Sequence, residues 1–155
     1  MRFFKPRPGF WTWVEQFKGK TIVDCGCGDG ALVKEMLGRS LHAIGVDPRF
    51  FSDHYHVTSA GKHVEWDLAS KIIPLMASQV RELWQSAAII LCCRPCHNGF
   101  PGEVVEMMGD AAEFYYIGFA KNLDADIGDG DDIVITPVLY NVGEDNENLY
   151  RVIKV

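Results

Sequence analysis

Short apolar runs alternate with segments of helical spacing along most of the chain, and this alternation is the strongest signal in its sequence. Strands are predicted over 21–25, 42–48, 63–68, 87–93 and 113–120, and helices over 9–19, 31–38, 69–86 and 101–108. Strands that alternate with helices are typical of a parallel sheet whose crossovers are right-handed. The chain up to residue 120 therefore predicts an α/β fold.

The C-terminal part has a different pattern. Two β-rich runs, IVITPVLYNV and LYRVIKV, are joined by the polar stretch GEDNEN without an intervening helix. This arrangement favours an antiparallel hairpin. Together the two patterns predict one α/β domain over 1–155, a three-layer sandwich with a mostly parallel sheet and a C-terminal antiparallel hairpin.

Composition narrows the class of protein. The 155 residues are 48% hydrophobic and 23% charged, which fits one globular domain with one core. A net charge of −6 argues against binding by general attraction to nucleic-acid phosphates. The five cysteines are odd in number and mostly clustered, so no disulfide framework is expected, and no run has the length of a membrane span. We expect a cytoplasmic protein, with a partner subunit or a homodimer left open.

A glycine-rich turn, DCGCGDG at 24–30, joins the first predicted strand to the next helix. Ligands of parallel α/β sheets bind at the carboxyl ends of strands, which is where this turn lies. The stretch GCGDGA also matches a dinucleotide-binding pattern, with Asp47 at the distance of an acid that binds ribose, so an NAD-dependent oxidoreductase is one hypothesis. Asp24 favours another ligand, because a carboxylate aimed into the turn suits a ligand that carries a cationic amino group.

Asp24 and the glycines that follow resemble the first motif of the class I S-adenosylmethionine-dependent methyltransferases, an acidic residue followed by G-x-G-x-G. The resemblance covers most of the chain and implies a Rossmann-like fold with S-adenosylmethionine as cofactor. It implies three groups of contacts: Asp24, Gly26, Cys27, Gly28 and Gly30 with the methionine end, Asp47 and Pro48 with the ribose, and Asp67 and Leu68 with the adenine. Asp67 is equally open to a simpler interpretation as the N-cap of a helix.

The segment after the fourth predicted strand, CCRPCHNGFPG, is where that family contacts the methyl acceptor. Arg94, Cys96 and His97 are the candidate acceptor-site residues on this basis. The segment lacks the amino-methylating pattern of the family. Pro95-Cys96 resembles the cytosine-C5 methyltransferases, in which the thiolate attacks the base, but the fifth strand lacks their Glu-Asn-Val. A cysteine without a chemical role is the alternative, and no metal site is predicted, since free cysteines are commonly core residues.

The N-terminal segment carries the only basic and aromatic cluster, with Phe3, Phe4, Phe10, Trp11 and Trp13 beside Arg2, Lys5 and Arg7. It could fold over a cofactor or cover one edge of the sheet. The predicted function is S-adenosylmethionine binding with methyl transfer to an unidentified acceptor. The alternatives are a non-catalytic cofactor-binding subunit or regulator and, third, the oxidoreductase.

Overall fold

The computed structural model describes residues 3–47, 72–73, 76–95 and 99–155. The strands are β1 (Thr21–Cys25), β2 (His42–Val46), β3 (Ile72–Ile73), β4 (Ile89–Cys93), β5 (Glu113–Gly118), β6 (Ile133–Leu139) and β7 (Asn148–Lys154). The α-helices are α1 (Pro8–Val14), α2 (Ala31–Gly38), α3 (Arg81–Ser86), α4 (Phe100–Met107) and α5 (Leu123–Asp126). Single 3₁₀ turns cover Glu15–Phe17, Ala77–Gln79 and Ala120–Asn122.

The seven strands of the described residues form one sheet in the order β3-β2-β1-β4-β5-β7-β6. The pairs β1–β2, β1–β4, β2–β3 and β4–β5 are parallel, whereas β7 pairs antiparallel with both β5 and β6. The predicted fold class is confirmed, including the antiparallel hairpin at the C-terminal edge. The order reverses between β1 and β4, and this switch point is where parallel α/β sheets bind ligands.

The core has two halves because neighbouring residues of a buried strand face opposite sides of the sheet. On β1, Ile22 packs into the half that contains Phe10 of α1 and Val33 of α2. The next residue, Val23, packs into the half that contains Trp84 of α3 and Val104 of α4. Helices therefore cover both faces of the sheet, which makes the three layers predicted from the sequence.

One predicted helix differs from the structure. The helix expected over 69–86 is wrong at Ile72–Ile73, which pairs in parallel with Gly45 and Val46 of β2 and forms the edge strand β3. Two β-branched residues favour an extended strand, and the residue before a proline is biased away from helical backbone, so Pro74 favours β structure at Ile73. Within this range, the α-helix that the structure describes is Arg81–Ser86, preceded by the 3₁₀ turn Ala77–Gln79. The strand predicted over 63–68 lies outside the described residues.

The hairpin brings its loop to the same edge of the sheet as the glycine-rich turn. Asn148, at the start of β7, pairs with Gly118, at the end of β5. The loop between β6 and β7 therefore lies at the carboxyl ends of the parallel strands. This placement brings residues 143–147 towards the end of β4, where the acceptor-site residues were predicted.

No helix among the described residues combines the length and the apolar character needed to cross a membrane.

Candidate functional site

The glycine-rich turn is bonded to the end of the neighbouring strand. The N–H groups of Gly26 and Cys27 both donate to the carbonyl oxygen of Val46, at 2.7 and 3.2 Å. The Gly30 N–H donates back to the Cys27 carbonyl at 3.0 Å, which closes the turn before α2 begins. The turn is thus a defined structure between β1, β2 and α2.

Three alternate residues of the turn have left-handed backbone. The φ angles are 76° at Gly26, 59° at Gly28 and 81° at Gly30. This region costs little for glycine and is disfavoured for residues with a Cβ, so the conformation explains the spacing of the glycines.

Asp47, the predicted ribose-binding acid, lies at the end of β2 and contacts the turn directly. Its Oδ2 accepts a hydrogen bond of 2.8 Å from the Gly28 N–H, and the residue is only 2% exposed. A buried carboxylate that accepts from a backbone N–H fixes the position of that peptide. Asp47 therefore shapes the turn in addition to any contact with a ligand.

Asp24 lies at the other side of the turn, near the end of β1, and is also 2% exposed. Burial, together with the smaller effects of the negative charges of Asp47 and Asp29, raises its pKa to about 7. Its Oδ1 atom is buried and has no hydrogen-bond partner among the described residues. Buried polar atoms nearly always have partners, so this oxygen is the feature of the site that most needs explaining.

The side chain of Cys27 packs against β2. A Cβ added to Gly45 would lie 2.6 Å from its Sγ, so the thiol packs closely against β2. Burial raises the pKa of the Cys27 thiol well above its usual range, with further contributions from Asp24 and Asp47. Only the main chain of Cys27 is suited to a ligand contact.

Two aromatic rings lie against the turn. A Cβ added to Gly26 would come within 2.8 Å of Cζ of Phe100, and one added to Gly28 would collide with the ring of Phe3. The sequence indicates the N-terminal aromatic cluster that includes Phe3. Its signal for Phe100 is the pair Gly99-Phe100 after β4, which slightly extends the resemblance of Pro95-Cys96 to the cytosine-C5 methyltransferases.

Arg94 immediately follows β4, with a φ of 48°. Its Nη1 lies 2.8 Å from Oδ2 of Asp145 and 3.6 Å from Oε2 of Glu147, both in the hairpin loop. Its guanidinium also lies 5.2 Å from the ring centroid of Phe119. The side chain of Arg94 is only 23% exposed, because it packs against these acidic side chains and the Phe119 ring.

The other predicted site residues fall outside the described residues: Pro48, Asp67, Leu68, Cys96 and His97. Their predicted roles stay predictions. In the described part of the chain, no group of three or more His, Cys, Asp or Glu side chains could hold a metal ion. Burial raises the pKa of both Cys92 and Cys93, which favours the neutral thiols there.

Comparison with known proteins gives structural matches only. No protein-family model and no curated protein matches the sequence. Among solved structures, a mutant of MtNAS has a TM-score of 0.65 at 12% identity, with 94% of this chain and 58% of that chain covered. Another structure of the MtNAS mutant, in complex with S-adenosylmethionine, matches with a TM-score of 0.65 at 11% identity, covering 94% of this chain and 60% of that one. The chain thus spans about three-fifths of the MtNAS chain.

Two further matches are described as methyltransferases. An S-adenosylmethionine-dependent O-methyltransferase from Thermotoga maritima has a TM-score of 0.58 at 11% identity, with 99% of this chain and 68% of that chain covered. The antibiotic-resistance methyltransferase Kmr has a TM-score of 0.56 at 14% identity, with 99% and 100% covered. The chain has the fold of the class I S-adenosylmethionine-dependent methyltransferases.

Proposed function

We propose that the protein binds S-adenosylmethionine at the glycine-rich turn and transfers its methyl group to an acceptor that is not yet identified. The observation that carries the proposal is the buried Oδ1 of Asp24, which has no partner among the described residues. It lies beside a turn whose glycines leave the main chain open to close approach. The α-amino group of the cofactor's methionine end is a partner of the right charge.

Electrostatics favours this cofactor over a dinucleotide. Asp24 and Asp47 are both buried, and the charge of Asp47 raises the pKa of Asp24. A cation would relieve the repulsion between the two carboxylates. A pyrophosphate would instead add a third negatively charged group to a site that is buried away from water. The pair of carboxylates therefore supports a ligand with a positively charged amino group and argues against NAD.

We assign the cofactor contacts as the family resemblance implies. Asp24 and the main chain of Gly26, Cys27, Gly28 and Gly30 hold the methionine end. Asp47 and Pro48 bind the ribose, while Asp67 and Leu68 lie by the adenine. The domain comprises 1–155, and the free thiols of the described cysteines fit the proposed cytoplasmic location.

Methyl transfer needs chiefly a nucleophile held in line with the sulfonium that the cofactor supplies. Arg94, at the end of β4, is the described candidate for an acceptor contact, and Cys96 and His97 follow it in sequence. The fold neighbours described as methyltransferases support this reaction in general. None of them identifies the acceptor for this chain.

Isothermal titration calorimetry is the direct test. We expect S-adenosylmethionine and its demethylated product to bind with 1:1 stoichiometry, and NAD not to bind. Binding of NAD without S-adenosylmethionine would overturn the proposal in favour of the oxidoreductase. If neither S-adenosylmethionine nor its demethylated product binds, the partner that we assign to Asp24 is wrong and the proposal is overturned.

The ion pairs of Arg94 with Asp145 and Glu147 favour a second function, that of a non-catalytic subunit or regulator. If this arginine serves only the hairpin, the domain could be a cofactor-binding subunit or regulator without turnover. Incubation with methyl-labelled S-adenosylmethionine and pools of protein, RNA and small-molecule acceptors separates the two. Label transfer that is lost in Asp47→Ala supports the enzyme, and binding without transfer supports the subunit.

The affinity for S-adenosylmethionine should depend on pH. Asp24 has a pKa of about 7, so below that pH the folded protein holds a neutral carboxyl group there, and a cationic ligand must displace its proton. We expect the association constant to fall by up to about tenfold per pH unit below neutrality, with release of about one proton at pH ~6. Calorimetry in buffers of different ionisation enthalpy measures the proton release. A flat affinity from about pH 5.5 to about pH 8 would contradict the role of Asp24.

Replacement of Asp47 should separate its two roles. Asp47→Ala leaves the buried Gly28 N–H without its acceptor, so we expect a loss of ~1–3 kcal/mol in the free energy of unfolding. Asp47→Asn keeps an acceptor oxygen and should lose less. Both variants should bind S-adenosylmethionine more weakly if the carboxylate also holds the ribose. Urea unfolding measures the change in stability, and calorimetry on the same samples measures the change in affinity. If Asp47→Ala were as stable as Asp47→Asn, the role of Asp47 in the turn would be contradicted.

A further inference from the structure

The N-terminal strap, residues 3–7, runs along the hairpin loop. The Lys5 carbonyl accepts from the Glu144 N–H at 3.0 Å, and the Arg7 N–H donates to the Val142 carbonyl at 2.8 Å. Pro6 forms an isolated antiparallel bridge with Gly143 between these two bonds. The strap is thereby attached to the part of the hairpin at the carboxyl edge of the sheet.

Phe4 provides the apolar anchor of the strap. It is 8% exposed and meets Phe10 of α1 edge to face, with ring centroids 5.2 Å apart. Buried aromatic pairs of this geometry contribute beyond their buried area. Movement of the strap from Phe4 onward would therefore disrupt the core.

Phe3 precedes all of these anchors, yet its ring lies on the glycine-rich turn. The residue is 39% exposed, and a Cβ added to Gly28 would collide with its Cε1 and lie 3.0 Å from its Cδ1. Gly28 is also the residue whose N–H is held by Asp47. The Phe3 ring thus lies on Gly28, which has a left-handed backbone and whose N–H is bonded to Asp47.

A ligand cannot reach Asp24 without movement of a covering group, because Oδ1 of Asp24 is buried. Of the two rings that contact the turn among the described residues, Phe100 belongs to α4, whose Val104 and Val105 are fully buried. Phe3 is more exposed and lies outside the anchored part of the strap. Displacement of Phe3 therefore disturbs fewer contacts than displacement of Phe100.

We propose that Phe3 is both a gate and a contact residue of the cofactor site. Its ring leaves Gly28 when S-adenosylmethionine enters and then packs on the bound cofactor, while Phe4 holds the strap in place. The proposal rests on the proposed function. It assigns to Phe3 control over the rates of cofactor entry and release.

Stopped-flow measurement of S-adenosylmethionine binding tests this role. In Phe3→Ala we expect the association and dissociation rate constants both to rise, each by about tenfold, because the ring that blocks entry also covers the ligand. Tyr140→Ala is the matched control, since Tyr140 is an aromatic residue that is 67% exposed in the hairpin, and its rates should equal those of the wild type. An unchanged association rate constant in Phe3→Ala would overturn the proposal.

A measurement without ligand keeps this test distinct from that of the function itself. We expect the Gly28 amide to exchange its hydrogen with solvent several-fold faster in Phe3→Ala than in the wild type, since the ring covers it. The urea midpoint should be unchanged, because Phe3 lies outside the core. Unchanged exchange would overturn the gate. Faster exchange in a protein that binds no S-adenosylmethionine would instead refute the proposed function.

Discussion

Replacement of Asp24 by asparagine should weaken S-adenosylmethionine binding by about a hundredfold and, at alkaline pH, stabilise the folded protein. The first effect follows because Asn keeps the shape of the side chain but removes the charge that would pair with the cofactor's amino group. The second follows because the wild-type protein holds a buried carboxylate beside Asp47 above neutral pH. The residue that best serves the ligand is therefore expected to be unfavourable for folding.

The pH dependence of stability gives the sign of the second effect. The pKa of Asp24 rises from 3.8 to about 7 on folding, so the folded state binds a proton more tightly than the unfolded state. The stabilisation by this group is fully present below pH 3.8 and is lost as the pH rises to about 7. Three pKa units correspond to at most ~4 kcal/mol, and Asp24→Asn should not show this loss.

Urea unfolding at several pH values, together with calorimetry, measures both effects. Asp29→Asn is the matched control in the same turn. Asp29 accepts from the Ala31 N–H at 3.0 Å in an exposed position, and asparagine can make the same bond. We expect this control to bind and unfold nearly as the wild type does. Tight binding by Asp24→Asn would remove the main support for the proposed site.

Arg94→Ala should lower the free energy of unfolding by ~3–5 kcal/mol. The substitution removes the cation that faces Asp145 and Glu147, and the Glu147 side chain is fully buried. An unpaired buried charge is costly because the attraction that offset its desolvation is gone. The hairpin loop, and with it the N-terminal strap, should lose order in this variant.

A second substitution tests this cause. In Arg94→Ala/Glu147→Gln the buried charge is also removed, so a large part of the lost stability should return. Lys121→Ala is the control, because Lys121 also lies over the Phe119 ring, at 5.9 Å, but is exposed. Its change should be within ~0.5 kcal/mol in urea unfolding. If Arg94→Ala were fully stable but inactive in methyl transfer, Arg94 would be an acceptor-site residue instead of a structural one.

The sequence predicts most of the fold because its patterns are local. The apolar run Thr21–Cys25 is bounded by Gly19, which has a φ of 91°, and by the glycine-rich turn, so its limits are visible in the sequence. The helix predicted from Ala31 to Gly38 is confirmed for the same reason. The failure at Ile72–Ile73 arises because pairing with β2, a long-range contact, decides the structure of so short a segment.

The site is predictable only in part. Asp24 and Asp47 are found from motif spacing, since a strand end is a local feature that the topology then brings to one edge of the sheet. The contacts of Phe3 and Phe100 with the turn, and those of Arg94 with the hairpin loop, join residues far apart in sequence. Periodicity contains no information about such contacts.

By itself, the sequence determined the alternation of strands with helices, the final hairpin and the position of an acidic glycine-rich turn, because each follows from local backbone preference and the period of apolar residues. Only the tertiary structure decided the electrostatic state of that turn. Folding places Asp24 beside Asp47 and excludes water from both, and it is this burial that raises the pKa of Asp24. Packing likewise places Phe3 over Gly28, since the strap is held by a hairpin more than a hundred residues away in sequence.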